Sequence, residues 1–221
     1  MLIKIPSKVF ACRILDGVDT ELEAFWLKKL DPSVAEWASS KRAARDRSAT
    51  IVGRLLLAQA LRQLGAGSIE LKMLGRSEKS APVVPPPFSG SIAHDSELVV
   101  AIAASSGSVG IDVEACHDAE AQSAFVSSRF AAEERAMLLS SNSQTHSFTE
   151  LWVRKEAMAK ATGRSLAEVM SLSVMENRVA FANSDWHFVT VCVPTGHCCA
   201  VAANWNPGTI QTQFVAIGDL L

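Results

Sequence analysis

Leu98-Val99-Val100-Ala101-Ile102-Ala103-Ala104-Ser105-Ser106-Gly107-Ser108-Val109-Gly110-Ile111-Asp112-Val113-Glu114 reads as an apolar run, a short polar turn and a second, alternating run. Leu98 to Ala104 is apolar on both faces, the pattern of a strand covered on two sides. In the second run Ile111 and Val113 alternate with Asp112 and Glu114. Period two therefore turns the apolar pair to a core and both carboxylates to the opposite face. With Ser105-Ser106-Gly107-Ser108 between them, the two runs predict a hairpin.

On either side of this stretch the chain runs through helices into strands. Upstream, Lys8 to Leu15 has strand character, and Leu22, Phe25, Trp26 and Leu30 recur at helical spacing. Asp31-Pro32 marks a helix start, and Val34 to Leu64 is helical in composition before Gly65 and Gly67. A proline-rich loop (Pro82, Pro85, Pro86, Pro87) follows. Downstream, Ala119 to Phe130, Ala131 to Ser140 and Ser147 to Thr162 read as helices ending at Gly163. Strands are expected near Ser171–Met175, Arg178–Phe181, His187–Val193 and Cys198–Asn204, with an extended piece around Thr209–Ile217. Leu57-Ala58-Gln59-Ala60 resembles Met158-Ala159-Lys160-Ala161, and Ala101-Ile102-Ala103-Ala104 resembles Ala200-Val201-Ala202-Ala203. Their similar separations favour an α+β protein of two related α/β units, 1–106 and 107–221.

Composition bounds the function. The 221 residues are 48% hydrophobic and 20% charged, enough for a real core and unlike a disordered chain. No run approaches the roughly 18 apolar residues of a membrane span, and Met1 to Pro6 lacks a secretion-signal block, so a cytoplasmic protein is expected. A net charge of -2 supplies no global field for nucleic acid. The basic run Lys41-Arg42-Ala43-Ala44-Arg45-Asp46-Arg47, with Arg54 beyond it, splits at helical pitch into two stripes and not one binding face. Cys12, Cys116, Cys192, Cys198 and Cys199 are odd in number and form no CxxC pair, which indicates neither a disulfide framework nor a zinc ribbon. Within His197-Cys198-Cys199 the adjacent cysteines of a strand point to opposite faces, a poor metal site.

Three features carry chemistry. Asp112 and Glu114 lie about 7 Å apart along their strand and suit a hard cation, or else form an ordinary solvated face. In Trp152-Val153-Arg154-Lys155-Glu156-Ala157-Met158-Ala159-Lys160, Trp152, Glu156 and Lys160 form one helical stripe with Lys155 beside it. The plain alternative is a Glu-Lys surface pair with Trp152 as core filler. Glu156 can complete a metal site with Asp112 and Glu114, leaving the lysines for phosphates. His94, at the mouth of the expected hairpin, falls at the same end as the two acids.

Gly110-Ile-Asp-Val-Glu114, Arg129-Phe130-Ala-Ala-Glu-Glu134 and Trp152-x-x-Lys155-Glu156-Ala-x-x-Lys160-Ala-x-Gly163 together resemble the signature of the Sfp-type 4′-phosphopantetheinyl transferases. Pro82-Val-Val-Pro85, Gly90-Ser-Ile-Ala-His94 and Gly53-Arg54 resemble the branch associated with siderophore synthases. The resemblance implies two similar α/β subdomains in pseudo-twofold arrangement with a site in the cleft between them. It implies coenzyme A as co-substrate, Mg²⁺ as cofactor, an apo acyl or peptidyl carrier domain as acceptor, a monomer, and no nucleic-acid or membrane partner. Carried over, Asp112, Glu114 and Glu156 hold the metal, and Lys160, Lys155 and His94 contact phosphates. Arg47, Arg54 or Lys79 bind the 3′-phosphate or adenine side, and Glu134 orients water or the metal shell. Glu156 is the expected base for the carrier serine. Two positions depart from the family pattern, Ala93 in place of a hydroxyl and Asp95 after the histidine, and both are expected to weaken coenzyme A binding. The competing class is a non-catalytic coenzyme A or carrier-domain binding protein of the same descent; the intact acids and Lys160 favour the enzyme.

Overall fold

The computed structural model describes residues 8–14, 17–78, 81–116 and 128–220. Lys79 and most of the helix expected over 119–130 lie outside the described residues.

The first part of the chain forms β1 (Lys8–Arg13), α1 (Thr20–Leu27), α2 (Pro32–Ser39), α3 (Ala44–Gln63), the two-residue strands β2 (Gly75–Arg76) and β3 (Pro82–Val83), β4 (Ser89–His94) and β5 (Leu98–Ala104). Asp31 starts α2 as expected, its carboxylate accepting from the Ser33 amide at 2.9 Å with Pro32 in the first helical position. The single helical stretch expected from Val34 to Leu64 is two helices. Ala43 is extended, and the carbonyls of Lys41 and Arg42 at the break accept from Arg47 Nη1 at 3.2 and 3.1 Å. The second part forms β6 (Val109–Ala115), α4 (Ala132–Ser140), α5 (Gln144–Thr162), the single turn α6 (Leu166–Val169), β7 (Arg178–Phe181), β8 (Ser184–Thr190), β9 (His197–Ala203), β10 (Gln211–Phe214) and the turn α7 (Ile217–Leu220). Gly163 closes α5 with φ 65°, a left-handed cap that only glycine adopts without cost. The strand expected near Ser171–Met175 is irregular chain.

The predicted hairpin does not form. β5 pairs with β1 on one edge and β4 on the other, so neither edge is left for β6. Instead β6 pairs with β9, placing Asp112 opposite Ala200 and Glu114 opposite Cys198. Residues 105–108 therefore cross between two four-stranded sheets, ordered β10-β1-β5-β4 and β6-β9-β8-β7. The Ile111 amide donates to Ser91 Oγ at 3.1 Å, tying β6 to β4 across the join.

The suspected repeat is visible as topology. In each half a first strand is followed by a long helix and a return of strands, and the last of these pairs with the first strand and with its own predecessor, β1-β5-β4 and β6-β9-β8; β10 extends one sheet and β7 the other. The two short similarities fall on α3 with α5 and on β5 with β9, at equivalent places. The division at 106/107 fails at the end of the chain, because β10 pairs in parallel with β1, Lys8 opposite Gln211. Val215, Ile217 and Leu220 then pack on the core beneath α3. An unpaired β1 edge explains the return: a strand edge left open exposes backbone donors and acceptors.

Three apolar layers hold the elements. One lies between α3 and the first sheet, one between the sheets (Val100 and Ile102 with Ile111, Val113 and Val201), and one between α5 and the second sheet. All seven residues of β5 are buried, as its two-faced apolar sequence required.

Candidate active site

Gly110 determines how the site is assembled. A Cβ there would overlap the backbone of Ala157 and Ala161 on α5, so only glycine lets the helix lie directly on β6. With Ile111 and Val113 in the layer between the sheets, Asp112 and Glu114 project to the α5 side. There Lys160 donates to Asp112 Oδ1 at 2.7 Å. Asp112 is only 4% exposed, and its Oδ2 is buried without a hydrogen-bond partner among the described residues.

Asp112 raises both of the other carboxylates. Burial raises Asp112 above the ordinary carboxylate range, outweighing the pull of Lys160. Burial, then the charges of Asp112 and Asp95, raise Glu114 to about 7. Glu156 is raised by burial and by Asp112. Carboxylate oxygens are the donors a hard divalent cation prefers, and Asp112 Oδ2 is an acceptor that an ion would satisfy.

His94 and Arg54 face this group from the other half of the molecule. Together with Lys160 they line one cleft, joined by Trp37 and Thr50. The expectation that His94 falls near the acids holds, but through a different route: β4 lies alongside β6, and no hairpin brings it there. His94 is exposed at the rim, and desolvation followed by the Lys160 charge lowers it below the ordinary histidine value. Arg54 is 3% exposed and lowered to about 10, chiefly by burial and then by Arg76. Its Nη2 donates to the Gly75 carbonyl at 3.2 Å while Nε has no partner among the described residues. Arg54 follows Gly53, at which a Cβ would stand 2.7 Å from Ile92 Cγ2, so glycine again lets α3 close on β4. The cleft carries cations and an aromatic wall, the character of an anion site.

Two expected contacts move elsewhere. Lys155 is fully buried and donates to Glu134 at 2.7 Å and to the carbonyls of Met170 and Leu172 at 2.9 and 2.6 Å. All three ammonium protons are used inside the second half, which leaves none for the phosphate contact that the resemblance implies. Glu134 is equally buried and accepts from the amides of Ala131 and Val174 at 3.0 and 2.8 Å, so it ties loops together inside the second half. The helical stripe misled because residues 155 and 156 are 100° apart: Glu156 looks toward β6 while Lys155 looks into the core under Phe130. Arg47 pairs with Glu23 of α1 at 2.6 Å, and its Nη1 donates to the carbonyls at the break before α3. Trp152 stacks on Phe148 as part of the core.

The two departures have structural partners. Asp95 Oδ1 accepts from the amides of Glu97 and Leu98 at 2.7 and 2.8 Å, and Oδ2 lies 3.2 Å from His197 Nε2. It closes the β4–β5 turn and joins it to β9. Ala93 is 4% exposed and packs in the layer between the sheets. Trp37 was missed from sequence; its one signal is Lys41 four residues on, whose ammonium stands 4.4 Å from the ring centroid, with the Arg76 guanidinium at 4.8 Å.

Comparison with known proteins places two family models in tandem on the chain. Residues 35–104 match the 4′-phosphopantetheinyl transferase N-terminal domain, and residues 108–205 match the 4′-phosphopantetheinyl transferase superfamily. The 4′-phosphopantetheinyl transferase AcpT of Salmonella typhimurium is 25% identical over 154 residues, covering 67% of this chain and 78% of the relative. AcpT of Salmonella typhi matches to the same extent.

Proposed function

The chain belongs to the 4′-phosphopantetheinyl transferase superfamily across residues 35–205, and from that premise we propose that it moves phosphopantetheine from coenzyme A to a serine of an apo acyl or peptidyl carrier protein. The observation that carries the reading is the apposition of Asp112, Glu114 and Glu156 to a cleft lined by the cations Lys160 and Arg54 and by the His94 imidazole. A hydroxyl attack on a pyrophosphate needs that pairing: acids to hold a cation and take a proton, bases to hold phosphate oxygens.

Asp112, Glu114 and Glu156 would hold Mg²⁺, which when bound neutralises charge growing on the pyrophosphate. Arg54 and His94 hold phosphate oxygens from the first half. Lys160 leaves Asp112 Oδ1 for a phosphate oxygen, a short movement for a side chain one-third exposed. Glu156 takes the proton from the serine hydroxyl, a role its raised pKa suits. The serine oxygen bonds to the pantetheine-bearing phosphorus, and the bond to the second phosphate breaks, releasing 3′,5′-ADP.

Mass spectrometry of an apo carrier incubated with coenzyme A and Mg²⁺ tests the reading. A holo carrier supports it; tight coenzyme A binding with no mass gain makes the protein a non-catalytic binder. The siderophore-synthase lean is part of the same proposal. A panel of apo carriers ranked by kcat/KM decides it.

A further inference from the structure

At the end of β6 furthest from Gly110 the chain brings together three side chains that the transfer reading does not use. Cys116 follows Ala115, Cys198 lies on β9 opposite Glu114, and His146 stands in the first turn of α5. Cys116 Sγ is 3.5 Å from Cys198 Sγ and 3.6 Å from His146 Nδ1, and Cys198 Sγ is 3.5 Å from His146 Nδ1. These ligand atoms form a near-equilateral triangle drawn from three separate elements.

The edge lengths are informative. Zinc bonds of about 2.3 Å to sulfur and about 2.0 to 2.1 Å to nitrogen, at tetrahedral angles, put a sulfur–sulfur edge near 3.8 Å and a sulfur–nitrogen edge near 3.6 Å. The triangle matches one face of that tetrahedron to within a few tenths of an ångström. Thiolate and imidazole donors select a soft or borderline cation and discriminate against Mg²⁺. Cys198 is buried, Cys116 half-buried and His146 exposed, so the triangle has a solvent side for a fourth ligand. Glu150, one turn along α5 from His146, adds negative charge near Cys198. A thiol pair poised as a nucleophile would need a cationic setting that lowers it. Here burial raises Cys198.

We propose that Cys116, Cys198 and His146 form a zinc site, separate from the carboxylate site and independent of the transfer reading, that clamps β6 and β9 to the start of α5. Binding releases the two thiol protons and leaves one coordination position to water. Its location gives it a mechanical role: Cys116 is two residues past Glu114, and His146 is on the helix that carries Glu156 and Lys160. The pair of adjacent cysteines judged unsuitable from sequence contributes one member only, since Cys199 faces the layer between the sheets.

Cobalt titration of the full, reduced chain tests this. One equivalent of Co²⁺ should give tetrahedral d–d bands with thiolate charge transfer, displaced by Zn²⁺ and removed by a chelator. Loss of an outer contact to a metal ligand weakens binding about 10- to 100-fold, so Cys116→Ser and His146→Ala should each cost more than about 100-fold in affinity. His146 is exposed and Cys116 half-buried, so these two positions are chosen over buried Cys198. Cys192→Ser, at an exposed cysteine, should leave the titration unchanged. Absence of a saturable thiolate band overturns the site. So does a band that survives both substitutions, which would place the metal elsewhere. Recovery of a Cys116–Cys198 disulfide from a protein that takes up no Co²⁺ when reduced would replace the metal site with a redox pair.

Discussion

Lys155 and Glu134 form an ion pair at 2.7 Å with both side chains wholly removed from solvent, so the lysine next to Glu156 belongs to the core of the second half. Removing one partner from such a pair strands a buried charge, at a cost of about 3 to 5 kcal/mol. Lys155→Ala should therefore unfold at markedly lower denaturant concentration than the parent chain. The double substitution Lys155→Met with Glu134→Leu should recover much of the loss. Unchanged stability in Lys155→Ala, with a raised KM for coenzyme A, would return the lysine to the phosphate site.

Lys160 should behave in the opposite way. It is one-third exposed and paired with Asp112, so Lys160→Ala should cost less stability than Lys155→Ala while lowering kcat/KM by the equivalent of about 2 to 4 kcal/mol, the cost of losing an electrostatic donor. Lys160→Arg should restore part, because a planar guanidinium replaces a point charge imperfectly.

Asp112→Asn and Glu156→Gln should each abolish transfer and keep the fold. The isosteric amides are the right test because Asp112 is nearly buried beneath α5 and not, as its strand pattern alone suggests, open to solvent. Calorimetric titration with Mg²⁺ should show weakened binding in both. Near-normal turnover in either variant removes that residue from the mechanism.

Stability of the metal-free protein should fall as pH rises. Glu114 is held near 7 in the folded state against 4.5 as its ordinary value, so between these pH values the folded chain keeps a proton that the unfolded chain has released. The stabilisation is complete below about pH 4.5 and is lost through about pH 7. Glu114→Gln should flatten the profile in this window, and saturating Mg²⁺ should do the same by replacing the proton. Thermal denaturation at stepped pH, with and without Mg²⁺, reads both effects; an unchanged slope in Glu114→Gln removes Glu114 as the cause.

Asp95→Ser should not improve coenzyme A binding, contrary to what its place beside His94 suggests. Its carboxylate accepts two backbone amides and meets His197, so the substitution should cost about 1 to 3 kcal/mol of stability, the worth of hydrogen bonds to a charged group. KM for coenzyme A should stay within about twofold, as that loss lies in folding and not in uniform ligand binding. A fall in KM without loss of stability would place Asp95 against the phosphates after all.

Much of this protein is set by local pattern. The alternation in Gly110 to Glu114 placed its carboxylates opposite the core, because side-chain direction along a strand has a period of two whatever lies nearby. Asp31-Pro32 and Gly163 marked helix ends because capping and left-handed φ are properties of single residues. The repeat of helix and strand segments was legible for the same reason. What the tertiary structure decided is everything that depends on edges and faces meeting at a distance. Leu98–Ala104 and Val109–Glu114 look like a hairpin, yet β5 has both edges filled by β1 and β4, so β6 had to find β9 in another sheet. Lys155 and Glu156 are neighbours in sequence and part ways by a 100° turn, one into a core and one toward the acids. Cys116, His146 and Cys198 are separated by 30 and 52 residues and meet only because β6, β9 and α5 pack together. Single-residue preferences are written in the chain, whereas partnership requires knowing which surfaces the other elements have already taken.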